Sequence, residues 1–89
     1  MATHFVRHKV ADYTSWRKLY DEFDPVRKSM GVKSDGVYQL EGNPNDVTVY
    51  HEFDSVAAAK ALIEDPRLRE AMMKAGVQGE PDVWIGNKI

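Results

Sequence analysis

The order in which the hydrophobic period changes along the chain constrains its fold more than any other sequence feature. Apolar and polar side chains alternate in four segments, as they do in β-strands that bury one face. Between these segments, apolar side chains recur at three- and four-residue intervals, as they do in amphipathic helices. The strand-like segments are 3–10, 32–42, 47–54 and 81–89, and the helical segments are 11–31, 56–65 and 67–76.

The resulting order of strand, helix, strand, strand, helix and strand predicts an α+β fold. Right-handed crossovers turn this order into the ferredoxin-like split βαββαβ arrangement, a four-stranded antiparallel sheet with the helices on one face. The first and third strands are expected at the centre of the sheet, as parallel neighbours. No repeat, linker or low-complexity tract interrupts the sequence, so residues 1–89 are expected to form one domain.

Local signals predict where the elements begin and end. Pro25 removes a backbone donor, so the first helix should kink there or restart with Asp24 as a new cap. We expect a bulge at Asp35–Gly36 and a turn at residues 43–46. The predicted N-caps are Asp12 or Thr14, Ser55 and Asp65, and the residues predicted to end helices are Gly31 and Gly76.

The composition argues against several classes of protein. A net charge of −2 gives no electrostatic reason to bind nucleic acid or an anionic membrane. Without cysteine there is no disulfide framework, thiolate nucleophile or cysteine metal site. No apolar run approaches the length of a membrane span, and residues 1–10 lack the apolar core of a signal peptide. The chain is therefore expected in the cytoplasm.

Three histidines occupy strand positions whose side chains are expected to point towards the helices. The same rows of side chains also contain the valines best suited to a core, such as Val6 and Val49, so His4, His8 and His51 share their side of the sheet. We interpret His8 and His51 as a facing pair on adjacent strands and His4 as peripheral. A neutral imidazole there can take a proton from a phenol, or it can be a partly buried ring bonded within the core. Both interpretations stay open.

The spacing of the histidines does not favour a metal centre. His4 and His8 lie about 13 Å apart along one strand, too far to share an ion. A site of His8, His51 and one carboxylate stays open, but it lacks the close spacing usual in zinc and iron sites. We therefore predict neither a metal nor a cofactor.

Three segments together resemble a known family: RHKVADYTSWRKLYDEF, VYHEFDSVAAAKAL and DPRLREAMMKAGV. They look like the dimeric α/β-barrel superfamily, and most of all its small antibiotic-biosynthesis-monooxygenase-like members and their uncharacterised relatives. The resemblance implies a homodimer whose two sheets pack face to face, with a ligand cleft between sheet and helices. Some members oxidise polyphenolic aromatics without metal or cofactor, and others degrade heme.

The resemblance also bears on individual residues. The heme-degrading branch uses an Asn on the first strand, a Trp on the second long helix and a His ten residues later. Those positions fall at Val6, Leu62 and Met72, which implies no heme degradation by that mechanism. The same three residues, together with Trp16 and Tyr13, are expected to line the cleft and contact a substrate.

Three functions stay open at this point. The first is a cofactor-independent oxygenase acting on a small aromatic or polyketide-like molecule, and the second is a non-catalytic ligand-binding homodimer. The third is an RNA-binding sheet, because Phe5, Tyr50 and Trp84 are expected on the face opposite the helices. The motif of RNA-binding sheets is absent from the third strand, so we favour self-association through this open face.

Overall fold

A computed structural model describes residues 1–89, and its strands and helices follow the order that the hydrophobic period predicts. The helical segment 11–31 is divided in two, so that eight elements result. The strands are β1 (Ala2–Val10), β2 (Ser34–Leu40), β3 (Asn43–Phe53) and β4 (Val77–Asn87), and the helices are α1 (Tyr13–Glu22), α2 (Asp24–Ser29), α3 (Val56–Glu64) and α4 (Pro66–Lys74). None of the helices has the length and apolar character needed to cross a membrane.

The four strands form one antiparallel sheet in the order β2-β3-β1-β4, so the predicted α+β ferredoxin-like fold is confirmed. The prediction that β1 and β3 are parallel is wrong. The crossover through α1 and α2 returns the chain so that β2 runs parallel to β1, and the tight β2–β3 connection then reverses its direction. As a result β3 enters between them antiparallel to both.

Two strands are longer than the sequence pattern indicates. Residues 43–46, predicted as a turn, belong to β3, and the chain reverses at Glu41 and Gly42 instead. Gly42 has a φ of 85°, which a glycine adopts without strain. β4 begins at Val77 rather than at residue 81.

Irregularities in the ladders also lie elsewhere than predicted. Pairing is regular at Asp35–Gly36, and the register of β2 shifts only between Gln39 and Leu40. A larger shift occurs in β4, where Arg7 pairs with Asp82 but Lys9 pairs with Gln78. The residues of β4 between those partners form a bulge, defined here as residues 79–81.

Most of the helix boundaries follow the predicted caps. The side chains of Asp12, Ser55 and Asp65 accept hydrogen bonds from backbone N–H groups in the first turns of α1, α3 and α4. The helix restarts at Asp24, but the carboxylate of Asp24 forms ion pairs with Arg27 and Lys28 and caps nothing. Asp24 is therefore the first helical residue rather than a new cap.

The side chains between the sheet and the helices form two apolar clusters. One is closely packed and consists of Phe53, Ala59 and Leu62, each with no exposed surface. The other surrounds Trp16 and the valines of β1 and β3, including Val6 and Val49. The predicted orientation of these valines and of the three histidines towards the helices is confirmed by their burial.

The opposite side of the sheet, called here the open face, has no helix over it. Phe5 stacks on Trp84 with ring centroids 5.5 Å apart, and Trp84 remains 48% exposed. The ring of Tyr50 lies where a side chain at residue 36 would be, which explains the glycine there. Arg7 donates two hydrogen bonds to Asp46, at 3.0 and 2.9 Å.

The ion pair on the open face is not the one that the sequence predicts. Alternation along the strands puts Arg7, Lys9 and Glu52 on one face, which predicts that Arg7 or Lys9 pairs with Glu52. Instead, the carboxylate of Glu52 accepts a hydrogen bond from Ser34 on the neighbouring strand. In the antiparallel register Arg7 lies opposite Thr48 and Lys9 opposite Asp46, far from Glu52 at the other end of β3.

Candidate functional site

A cavity of about 540 Å³ lies between the sheet and helices α1 and α4. Its size is typical of small-molecule sites, which enclose roughly 300–1,000 Å³. Apolar and aromatic side chains make up most of its wall, and all three histidines of the chain and two arginines complete it. The bulge of β4, residues 79–81, contributes a further part of the wall. This is therefore the principal candidate site of the protein.

His4 and His51 form the facing pair, and the prediction that His8 faces His51 is wrong. The antiparallel register places His4 opposite His51 and His8 opposite Val47. The Nδ1 atoms of His4 and His51 lie 3.2 Å apart, and their rings stack at 5.3 Å. His4 is only 2% exposed, so the prediction that it is peripheral is also wrong.

A tyrosine and an aspartate extend this pair towards the edge of the sheet. The hydroxyl of Tyr20, on α1, lies 3.0 Å from Nε2 of His51 and donates a 2.6 Å hydrogen bond to Oδ2 of Asp35. Asp35 lies opposite His51 on the edge strand β2 and is exposed. The four side chains thus form a continuous chain of hydrogen bonds from the cavity wall to solvent, called here the His4–Asp35 chain.

Burial keeps the two histidines and the tyrosine of this chain uncharged at neutral pH. Desolvation lowers the pKa of His4 to about 4, and desolvation together with His4 and Arg27 lowers the pKa of His51 to about 3. Burial and the hydrogen bond to Asp35 raise the pKa of Tyr20 above its usual range. Each imidazole therefore carries one N–H and one bare nitrogen, and the phenol keeps its proton.

His8 occupies a separate part of the wall. It lies on β1 opposite the bulge of β4, and its ring meets Trp16 edge-on at 5.6 Å. Both of its ring nitrogens are buried and have no hydrogen-bond partner within the chain. Desolvation lowers the pKa of His8, which Asp46 partly opposes. A neutral imidazole without a partner can bond to a ligand in the cavity.

Arg27 brings a buried positive charge to the cavity. Its guanidinium lies 3.7 Å from the centre of the Tyr20 ring and donates a 2.7 Å hydrogen bond to the backbone carbonyl of Tyr20. Its closest acidic partner, Asp24, is 3.4 Å away and also pairs with Lys28. The Nε–H of Arg27 has no acceptor. A cation with so few partners favours an electron-rich ligand nearby.

The structure places five of the seven residues predicted from the sequence in the cavity wall. His8, His51, Trp16, Val6 and Met72 line it. The other two lie elsewhere. Leu62 is fully buried in the packed cluster with Phe53 and Ala59, and Tyr13 packs beside Trp16 outside the cavity wall.

Sequence reasoning missed four residues of the site. His4 was assigned to the periphery because its strand was expected to begin beside it, and the correct antiparallel register would have placed it opposite His51. The four-residue spacing of Tyr20 from Trp16 predicts only that it belongs to the apolar stripe of the first helix. Nothing in the sequence marks Asp35 or Arg27, since both depend on the approach of α1 to β2 and β3.

The site does not have the donor set of a metal centre. No group of three or more histidine, aspartate or glutamate side chains is placed to hold a metal ion. The Nδ1 atoms of His4 and His51 contact each other, and the second ring nitrogen of His51, Nε2, bonds to Tyr20. The arrangement suits binding and proton handling of an organic ligand.

The chain shares its architecture with solved structures of antibiotic biosynthesis monooxygenases. A candidate enzyme of this class from Bordetella bronchiseptica superposes with a TM-score of 0.84 at 11% identity, over 99% of this chain and 96% of the other. A second candidate, from Nitrosomonas europaea, gives a TM-score of 0.79 at 12% identity over 100% and 99% of the two chains. The chain therefore has the fold of these antibiotic biosynthesis monooxygenases.

One solved structure with this fold belongs to a protein whose reaction type is given. SnoaB from Streptomyces nogalater, described as a cofactor-independent oxygenase, gives a TM-score of 0.76 at 10% identity over 99% of this chain and 94% of SnoaB. At this level of identity the similarity establishes the fold, and the activity has to be argued from the residues of the cavity. No protein-family model matches the sequence, and no curated protein does either.

Proposed function

We propose that the protein binds a small aromatic or polyketide-like molecule in the cavity and oxidises it with O₂ without a cofactor. The observation that supports this most is the wall itself, where neutral histidines with free ring nitrogens stand among aromatic and aliphatic side chains. Such a wall suits a flat, largely apolar ring that carries a hydroxyl group. The cofactor-independent oxygenase SnoaB shares the fold, which supports the reaction type.

The chemistry needs no external reductant. A phenol and O₂ give a quinone and water: one oxygen atom becomes the new carbonyl, and the other leaves as water with hydrogen atoms from the ring C–H and O–H bonds. The phenol supplies all the electrons. The protein has to exclude water, hold the ring, and accept the hydroxyl proton as electron density moves from the ring to O₂.

Two histidines are proposed to contact the reacting hydroxyl. His8 has both ring nitrogens free, and His4 has a free Nε2. His51, which the sequence also suggested as catalytic, uses both of its nitrogens within the His4–Asp35 chain and is proposed to act through His4. Trp16 is proposed to stack on the ligand, because it lines the cavity between His8 and Tyr20.

Oxygen consumption tests this proposal directly. The purified protein, treated with a chelator, is mixed with 1-naphthol, and O₂ is followed with an electrode. Uptake faster than in a heat-denatured sample, with a quinone as product, is expected, and His8→Phe should lower the rate by about tenfold or more. Tyr13→Phe, outside the cavity wall, is the matched control and should keep the rate.

A non-catalytic ligand-binding protein is the second candidate, and the low pKa values of the histidines favour it. Imidazoles that protonate only near pH 4 or below are weak bases towards a free phenol. In that case 1-naphthol would bind to the cavity and no O₂ would be consumed. Absence of both binding and consumption would contradict both candidates.

We further propose that the protein works as a homodimer of single-domain chains that pack through their open faces. Phe5, Tyr50 and Trp84 are only partly covered within one chain, and a second copy would bury them across a two-fold axis. A chain of 89 residues has little stability to spare, so this burial would matter. A cytoplasmic location, suggested by the composition, stays a prediction.

A further inference from the structure

The directions of the hydrogen bonds in the His4–Asp35 chain follow from its exposed end. An ionised carboxylate can only accept hydrogen bonds, so the single hydroxyl proton of Tyr20 points to Asp35 across their 2.6 Å contact. The oxygen of Tyr20 then has to accept from Nε2 of His51, 3.0 Å away. His51 is neutral and carries its one proton on Nε2, which leaves its Nδ1 bare.

The same logic sets the state of His4. Since Nδ1 of His51 is bare, the 3.2 Å contact between the two Nδ1 atoms requires a proton on Nδ1 of His4. A neutral His4 with its proton on Nδ1 has a bare Nε2. That nitrogen is buried and has no partner within the chain, while His4 itself belongs to the cavity wall. A buried acceptor without a partner is costly unless a ligand supplies a donor.

We infer that Asp35, Tyr20 and His51 hold His4 in one tautomer, whose bare Nε2 accepts a hydrogen bond from a hydroxyl group on the aromatic ligand. The inference rests on the proposed binding of a small aromatic molecule in the cavity. Asp35, Tyr20 and His51 are positioning residues, because they act through His4. The preferred ligands are therefore neutral hydrogen-bond donors, and a phenol should bind more tightly than an ether of the same shape.

The tautomers can be measured without any ligand. In ¹⁵N-labelled protein at neutral pH, long-range ¹H–¹⁵N correlation spectra distinguish protonated from bare ring nitrogens. We expect the proton of His4 on Nδ1 and that of His51 on Nε2. A proton on Nε2 of His4 would overturn the inference.

One substitution at the exposed end should reverse the direction of the hydrogen bonds throughout the His4–Asp35 chain. Lysine can only donate hydrogen bonds, so in Asp35→Lys the Tyr20 oxygen would accept from residue 35 and the hydroxyl would donate to His51. Both imidazoles should then move their proton to the other nitrogen. Asp54→Lys makes the same change of charge at an exposed site outside the chain and should leave both tautomers unchanged. Unchanged tautomers in Asp35→Lys would show that Asp35 does not set them and would overturn the inference.

Ligand selectivity supplies a second readout. Calorimetry with 1-naphthol and its methyl ether, 1-methoxynaphthalene, compares a donor with a non-donor of nearly the same shape. We expect the protein to bind 1-naphthol about tenfold more tightly, and Asp35→Lys to reduce this preference to about twofold or less. Equal affinities in the unsubstituted protein would overturn the inference. If the tautomers and the preference are as expected but no O₂ is consumed, only the proposed oxygenase activity fails.

Discussion

The two faces of the sheet contain similar kinds of side chain in very different surroundings. On the helix-covered face, histidines, Tyr20 and Trp16 enclose a cavity. His4, His51 and Tyr20 bond to one another there, while both ring nitrogens of His8 have no partner. On the open face, Phe5 stacks on Trp84 and Arg7 pairs with Asp46, but no element of the same chain covers them. The same strands build both faces, since alternate side chains point to opposite sides.

This difference separates two roles. The helix-covered face is desolvated within one chain, so its titratable groups have strongly shifted pKa values and suit a ligand site. The open face keeps large rings in contact with water, and Trp84 is 48% exposed. A surface of this kind suits association with another protein surface. Substitutions on the two faces should therefore have different consequences.

The largest effect is expected from a charge on the open face. Tyr50→Glu would place two carboxylates near the axis of the proposed homodimer and should dissociate or unfold it. Light scattering of the unsubstituted protein should give about twice the chain mass of 10.1 kDa. The variant should give the mass of one chain, or lose its folded circular dichroism signal.

The control for this change is Ala57→Glu, which adds the same charge at an exposed position of α3. It should leave the mass unchanged. A folded monomer in the unsubstituted protein would remove the proposed distinction between the faces. The aromatic open face would then be tested for RNA binding instead.

Acid should lower the free energy of unfolding, because histidines are buried on the helix-covered face. The pKa of His4 falls from 6.5 to about 4 on folding, so between these values the unfolded chain binds more protons than the folded one. Stability is therefore fully present above pH 6.5 and falls as the pH decreases towards 4, on the order of 3 kcal/mol from His4 alone. Denaturant unfolding at several pH values measures this loss.

A double variant shows whether the histidines cause the loss. His4→Phe combined with His51→Phe should give a flatter dependence of stability on pH between 4 and 6.5. The carboxylates with lowered pKa values, such as Asp46, lose most of their contribution below pH 3.8, which is outside this range. An equally steep dependence in the double variant would assign the loss to other groups.

A smaller difference is expected between substitutions in the packed cluster and substitutions in the cavity wall of the same face. Leu62→Ala empties a fully buried position and should cost about 2–5 kcal/mol of unfolding free energy, with little change in 1-naphthol affinity. Met72→Ala, at a half-buried position of the cavity wall, should cost less stability and change the affinity several-fold. The opposite pattern would mean that the ligand lies beneath α3.

The fold was predictable from the sequence because each periodic segment carries its own information. The alternation of Val6, Val49 and His51 with polar neighbours identifies the side that meets the helices. The caps at Asp12, Ser55 and Asp65 require only local geometry. These features survive an error in strand direction, since they do not depend on which strands are neighbours.

The candidate site was only partly predictable because it depends on register and helix approach. An antiparallel β1–β3 pair places His4 opposite His51, whereas the parallel pair assumed from the sequence does not. The contact between Tyr20 and Asp35 needs α1 to cross the edge strand at a particular height. Neither quantity is encoded in the periodicity of a single segment.

The most direct test of the account is a crystal structure of the protein with 1-naphthol. We predict the naphthalene ring between the sheet and helices α1 and α4, with its hydroxyl oxygen about 3 Å from Nε2 of His4. The open faces of two chains should pack together in the same crystal. A ring stacked on Phe5 and Trp84, with the cavity beside His4 free of ligand, would contradict the assignment of the two faces.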